Sequence, residues 1–283
     1  MKPTREQIRR AYIDACYHEI DALKPGNVHR FADGHKMSVA QFFDSAQASA
    51  TPIADPELAI GARILAAIRA TRQKVETNTN LGIVLLCAPL AQAAERGGAD
   101  LRANLDAVLA ALDIDDARNA FAAIVLAQPG GLGSATRHDV AEEPAVTLLE
   151  AMREAADRDM IARQYATGFA DIFSGGFAAH AAAVQAGEEH MWPVVFLYLH
   201  YLSAFADSHI ARKFGAARAE ATRKKAAHIL ERVHALKDGT EREKLLLAFD
   251  AELKHDGINP GTSADLTVAT LFALQLNLVL HIP

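Results

Sequence analysis

Apolar residues return every three or four positions along almost the whole chain, and no stretch sustains the every-second-residue alternation of a half-buried strand. Alanine and leucine dominate and runs of β-branched residues are scarce, which favours helix over sheet. The pattern predicts an all-α fold, a multi-helix bundle built around central apolar helices. Residues 81–94 are apolar on every side, as are most of residues 192–214, so both belong in the centre. Pro89 should kink the first of them. There is no internal repeat, low-complexity tract or evident linker, so residues 1–283 read as one domain.

Local signals place the helix ends. Thr4 with Gln7 makes a capping box, followed by an inner stripe of Ile8, Tyr12, Ala15, Cys16, Ile20 and Leu23 that Pro25-Gly26 closes. A polar loop covers residues 24–37, and Ser38 with Gln41 starts the next helix. Asp55-Pro56 predicts a helix opening there and running to about Arg72. Further helices are expected near 101–112 and 115–128, before the loop that starts at Pro129-Gly130-Gly131-Leu132-Gly133. Single helices are then expected over 144–165, over 168–186 (loosened by Gly175-Gly176), over 192–214 and over 216–236. Thr240 with Glu243 should cap 241–255, with Gly257 at its end, and the last helix should follow Asn259-Pro260-Gly261-Thr262-Ser263.

A chain 51% hydrophobic and 23% charged can bury a large core without disulfide staples. Its two cysteines, Cys16 and Cys87, lie in apolar helical stretches and read as buried thiols of a cytoplasmic protein. The net charge of −6, with no basic block, argues against nucleic acid as a partner. The start is polar, unlike a signal peptide. His200, Ser203 and Asp207 interrupt the apolar segment 194–211, and Gln275 and Asn277 interrupt the short segment 266–280, so neither is expected to span a membrane.

Several residues break the apolar pattern. Glu19 sits on the stripe of the first helix, with Lys24 beyond it. A carboxylate there needs a partner; the pair is either structural, or a metal or substrate carboxylate beside a phosphate-binding lysine. His200, Ser203 and Asp207 would share one face of a continuous 192–214 helix. We read that face as lining a cavity, with Arg212 and Lys213 at its mouth. The stretch from Asn259 to Asp265 joins a loop to a helix start, which suits an anion or plain capping by Thr262. Gly26, Gly34 and the 130–133 run allow close backbone approach. His18, His29 and His35 lack zinc spacing. No Walker A, dinucleotide or nucleophile-elbow motif is present.

Taken in order, these segments resemble a known family. Glu-Ile-Asp-Ala-Leu-Lys-Pro-Gly-Asn-Val from Glu19 to Val28 comes first, then Gly34-His35-Lys36-Met37 and Asn78-Thr79-Asn80-Leu81-Gly82. Asp207-Ser208-His209-Ile210 with Arg212, and Asn259-Pro260-Gly261-Thr262-Ser263-Ala264-Asp265-Leu266, complete the set. The combination is similar to the triphosphoribosyl-dephospho-CoA synthase family over residues 12–276. The chain departs from the family pattern Asn-Thr-His-Lys-Gly at Asn80-Leu81, from Asp-Ser/Thr-Asn at His209, and from Arg-Gly-Gly at Lys213-Phe214. The resemblance implies an all-helical enzyme that takes ATP and 3′-dephospho-CoA, releases adenine and joins the triphosphoribosyl group to a ribose hydroxyl. Mg2+ comes with the ATP triphosphate.

The chemistry so implied is displacement at an anomeric carbon through an oxocarbenium-like state. It needs a carboxylate, a proton acceptor and cations for the phosphates. The expected catalytic residues are Glu19, Asp207 and His209, with Glu19 and Asp207 also as Mg2+ ligands. Lys24, Gly26, Asn27, Arg30, His35, Asn78, Asn80, Arg212, Lys213, Gly261, Ser263 and Asp265 are expected to hold nucleotide and phosphate. The alternatives are a related transferase in another cofactor pathway, such as that of a one-carbon carrier, and a non-catalytic helical binding protein. The exposed faces of helices 144–165 and 216–236 could support a homodimer.

Overall fold

A computed structural model describes residues 2–131, 133 and 137–281. Among these residues there are fourteen α-helices, one π-helical segment and no β-strand. In chain order the first helices are α1 (Arg5–Asp21), α2 (Val39–Ile53), α3 (Ile60–Lys74), α4 (Leu81–Glu95), α5 (Leu101–Ala110), α6 (Ile114–Ala127) and α7 (Leu148–Ala155). They are followed by α8 (Met160–Thr167), the π-helical segment Asp171–Gly176, α9 (Phe177–Gln185), α10 (Trp192–Ala204) and α11 (Ser208–Phe214). The chain ends with α12 (Ala216–Ala235), α13 (Gly239–His255) and α14 (Gly261–Leu280).

The buried apolar residues form one contiguous cluster with α4 and α14 at its middle. α4 packs on α1, α2, α3, α5, α6 and α14, and α14 packs on α1, α4 and α10. α14 is long and apolar enough to cross a membrane, but 67% of its most apolar stretch is buried inside the protein. Pro89 lies inside α4 and leaves the Leu85 carbonyl without its usual donor. The Tyr165 hydroxyl supplies one at 2.6 Å, which ties α8 to the central helix.

The capping boxes at Thr4 and Ser38 form as expected, and Gly257 turns the chain after α13 with φ +70°. Elsewhere the boundaries move, each for a tertiary reason. Asp55-Pro56 makes a turn, and α3 begins only at Ile60. The buried Arg63 draws the Ile53 and Leu58 carbonyls inward (3.2 and 2.8 Å) while pairing with Glu95, and Asp116 from α6 caps Gly61 N–H at 2.8 Å. The single helix expected over 144–165 is two, because Asp159 turns to cap α8 through Ile161 N–H (2.8 Å) and Ala162 N–H (3.2 Å). The helix expected over 168–186 contains the π-helical segment that ends on Gly175-Gly176. Asp238, not Thr240, caps α13.

The most consequential correction falls in 192–214. The chain breaks between α10 and α11, and Asp207 is the N-cap of α11. His200, Ser203 and Asp207 therefore do not share a helix face. The His200 ring packs on Gly175, the Ser203 hydroxyl returns to the His200 carbonyl at 3.1 Å, and neither borders the large cleft.

Candidate active site

A cleft of about 790 Å³ opens where the end of α1, the 22–38 loop and the N-termini of α4, α11 and α14 meet, with α6, α7 and α8 as its far wall. That volume suits a nucleotide-sized ligand. Helices deliver the site residues by their ends, where backbone N–H groups and capping side chains lie free of the helix ladder.

At the end of α1, Glu19 borders the cleft while only 3% exposed. Its Oε1 pairs closely with the fully buried Lys24, which also donates to Asn27 Oδ1 at 3.1 Å. Burial pushes the Glu19 carboxyl up and the Lys24 ammonium down, and each charge opposes the other's shift. The Asn27 amide donates to Asn259 Oδ1 at 2.8 Å, joining the loop to the approach of α14. His35 hydrogen-bonds through Nε2 to the Gly26 carbonyl at 2.7 Å and presents its ring to the cleft. Burial lowers its pKa.

Asp265, one turn into α14, borders the cleft, and no hydrogen-bond donor among the described residues reaches its carboxylate. It lies against the start of α4 so closely that a Cβ on Gly82 would stand 2.0 Å from Oδ2. Burial, together with the nearby Asp207 and Glu19 charges, holds the Asp265 carboxyl well above the usual range, with Arg212 opposing. The same couplings show that Glu19, Lys24, Asp207 and Asp265 share one neighbourhood. The His209 ring lies over Gly261, where a Cβ would meet Nδ1 at 2.4 Å. Burial and the Arg212 and Lys213 charges push its pKa down to about 4, so its imidazole is neutral at neutral pH.

Arg212 lines the cleft and pairs with Asp159 at 2.7 Å, leaving its Nε buried without a partner. The Lys213 stem runs beside the Gly130-Gly131 turn, so that turn closes over these two cations; Leu132, within the same run, lies outside the described residues. Asn78 Oδ1 caps Leu81 N–H at 3.1 Å at the α4 start, with Asn80 beside it. Arg72 and Thr262 also border the cleft. Sequence reading missed Arg72, whose only local signal is a basic residue in the last turn of α3.

Other expected site residues stand behind the wall or away from it. Both oxygens of Asp207 are engaged by protein donors, and the residue is 2% exposed. It is thus placed as a structural cap, without a free oxygen to bind metal or accept a proton. Ser263 donates to it from behind the cleft. Lys24 and Gly26 support the wall without bordering it, and Arg30 is exposed beside Asp21 at 3.7 Å. Thr262 does not cap α14; its hydroxyl meets Ser208 Oγ at 2.9 Å and accepts His209 N–H at 3.2 Å. Among the described residues, no three His, Cys, Asp or Glu side chains cluster as a metal cage. Mg2+ keeps water and phosphate ligands and needs few from protein. The free oxygens of Asp265 and Glu19 fit an ion that arrives with a nucleotide, not a resident one.

An all-helical scaffold whose cleft combines a free carboxylate, a neutral imidazole and paired cations defines a group-transfer enzyme acting on an anionic substrate. The chain belongs to the ATP:dephospho-CoA triphosphoribosyl transferase family, whose model matches residues 5–281. Its reaction is transfer of the triphosphoribosyl group from ATP to dephospho-CoA. Among solved structures it is similar to a candidate triphosphoribosyl-dephospho-CoA synthase from Archaeoglobus fulgidus, at 26% identity and a TM-score of 0.63. The match covers 84% of this chain and 98% of that one. No curated protein sequence matches.

Proposed function

We propose that the transfer takes place in this cleft, with Asp265 facing the anomeric carbon of ATP. The observation that carries this reading is the Asp265 carboxylate, which borders the cleft with no donor from the described residues on it. A carboxylate so placed has its charge available for an oxocarbenium-like centre. In the reaction the bond from C1′ to the adenine nitrogen breaks and its electron pair leaves with the base. A bond forms from the acceptor hydroxyl to C1′, and the hydroxyl proton passes by way of His209 to the departing adenine. His209 is suited to this because its imidazole is neutral at neutral pH. Arg212 and Lys213, which line the cleft, face the phosphates. Mg2+ bound to the triphosphate would neutralise its charge, and Glu19 and Asp265 are the residues that would hold it.

The two free, buried cysteines support a reducing, cytoplasmic setting. A homodimer through the exposed faces of α7, α8 and α12 belongs to the same reading. The test is release of free adenine from ATP, followed by chromatography with and without dephospho-CoA. Release that requires dephospho-CoA supports the proposal. Release that requires some other hydroxyl compound instead moves the acceptor to another cofactor pathway, and no release from any mixture points to a binding protein.

A further inference from the structure

Asn80 borders the cleft and also a side pocket of about 10 Å³ that Glu19 shares. That volume is close to what a single water needs. Asn80 is 4% exposed, and its Oδ1 is buried without a hydrogen-bond partner.

The orientation of this amide follows from counting protons. The Ser49 hydroxyl has one proton, and it goes to the Ser45 carbonyl at 2.7 Å. Ser49 Oγ therefore accepts, from the Tyr12 hydroxyl at 2.9 Å and from Asn80 Nδ2 at 3.2 Å. The second Nδ2 proton goes to Thr71 Oγ1 at 3.1 Å. Flipping the amide would set its carbonyl against a Ser49 oxygen whose proton is committed. Nor can a neighbour turn to serve Oδ1. The Ser45 hydroxyl donates to the Gln41 carbonyl at 2.6 Å. Glu19 adds a second acceptor, because Lys24 occupies Oε1 and no described donor reaches the other oxygen.

Two acceptors without donors thus border one narrow pocket whose other walls include Phe42, Ala46 and Ile83. A buried acceptor left empty is costly, so the ligand must bring the protons. A phosphate or a 6-oxo group has none and would be repelled. A ribose hydroxyl brings one, along with ring carbons too wide for the pocket. An exocyclic amine brings two protons on one small atom. We propose that Asn80 Oδ1 and the free oxygen of Glu19 receive the 6-amino group of an adenine ring, making this corner the selector for adenine over 6-oxo purines. The proposal rests on the cleft being the adenine-nucleotide site. Both ATP and dephospho-CoA carry the ring, so the test separates them.

Steady-state kinetics of the wild-type enzyme would compare ATP with inosine triphosphate, and dephospho-CoA with its deaminated, hypoxanthine-containing counterpart. One deaminated analogue is expected to lose at least about 100-fold in kcat/KM and thereby name the substrate whose ring is read, while the other stays near its parent. In Asn80→Ala, with its helical circular dichroism intact, the discrimination should shrink to about 10-fold or less. Should that variant unfold, Asn80→Asp, which retains an acceptor, is expected to keep the preference for the amine. Analogues that both turn over within about threefold of their parents would overturn the inference and leave the pocket to a water. So would a preference that Asn80→Ala leaves intact or that a folded Asn80→Asp loses. Absence of any base release from ATP by the wild type is a different result, because it removes the cleft assignment itself.

Discussion

Asp207 joins α11 to α14 through both of its oxygens: Oδ1 accepts the His209 and Ile210 N–H groups, and Oδ2 accepts the Ser263 N–H and hydroxyl, each at 2.8 Å. Four donors on one buried carboxylate make a joint between elements, not a reactive group. Asp207→Asn should therefore cost about 3 kcal/mol, because an amide nitrogen would face a donor. Ser263→Ala should cost about 1 kcal/mol, since its backbone N–H remains. Thermal or urea unfolding measures both. An Asp207→Asn protein as stable as the wild type but inactive would return this residue to the chemistry.

Asp265 predicts the opposite split. Asp265→Asn should lose at least about 100-fold in kcat, with a melting temperature unchanged or higher, since it removes a partly buried charge that no donor among the described residues satisfies. Gly82→Ala would place a methyl 2.0 Å from the present Oδ2 position and push the carboxylate aside. A fall of at least about 10-fold is expected for it alone. The double variant should be no worse than Asp265→Asn, because both changes remove the same function. Additive losses would mean that Gly82 acts on something else.

The loop carrying Lys24, Asn27 and His35 is held from below by α13. Asp250 accepts the Gly26 N–H at 2.8 Å, faces His29 Nε2 at 3.3 Å and pairs with Lys254 at 3.0 Å, and Lys254 donates to the Ala32 carbonyl at 3.1 Å. Burial alone would raise the Asp250 carboxyl, but these partners pull it below its ordinary value. Asp250→Asn is expected to raise KM for ATP by about 10-fold, with a smaller change in kcat. Hydrogen exchange over residues 24–37 should speed up in parallel. Unchanged exchange there would show that the loop holds its shape without α13.

Acid should destabilise this protein through its buried histidines. Burial lowers the pKa of His29 and His35, and that of His209 to about 4. Below about pH 6.5 the unfolded chain protonates these groups while the folded chain does not, so stability falls as pH falls. Asp265 contributes with the opposite sign: its raised pKa makes its cost greatest when it is ionised, and acid relieves it. The melting temperature should drop between about pH 7.5 and pH 5, and His209→Gln should flatten that slope. A steeper slope in His209→Gln would contradict the shift.

Much of the architecture was legible from local signals. The capping boxes at Thr4 and Ser38, the turn at Gly257 and the all-apolar α4 depend on neighbours a few residues apart, and those rules act within a single helix. The Glu19–Lys24 pair was visible as a break in an apolar stripe. The motif at Asn259–Asp265 lies where expected, at the start of α14.

By itself, then, the sequence determined the helical class, most helix starts, and which segments meet at the site. Tertiary structure decided the division of labour among the carboxylates. Asp207 and Asp265 look alike as acids beside apolar runs, yet among the described residues one receives four protein donors and the other none. It also split the 192–214 and 144–165 stretches, because Asp207 and Asp159 found backbone N–H groups to cap. The physical reason is range. Periodicity and capping are settled over a few residues, whereas a buried charge is settled by whichever donors the fold brings from far along the chain, as Ser263 comes to Asp207 and Lys254 to Ala32.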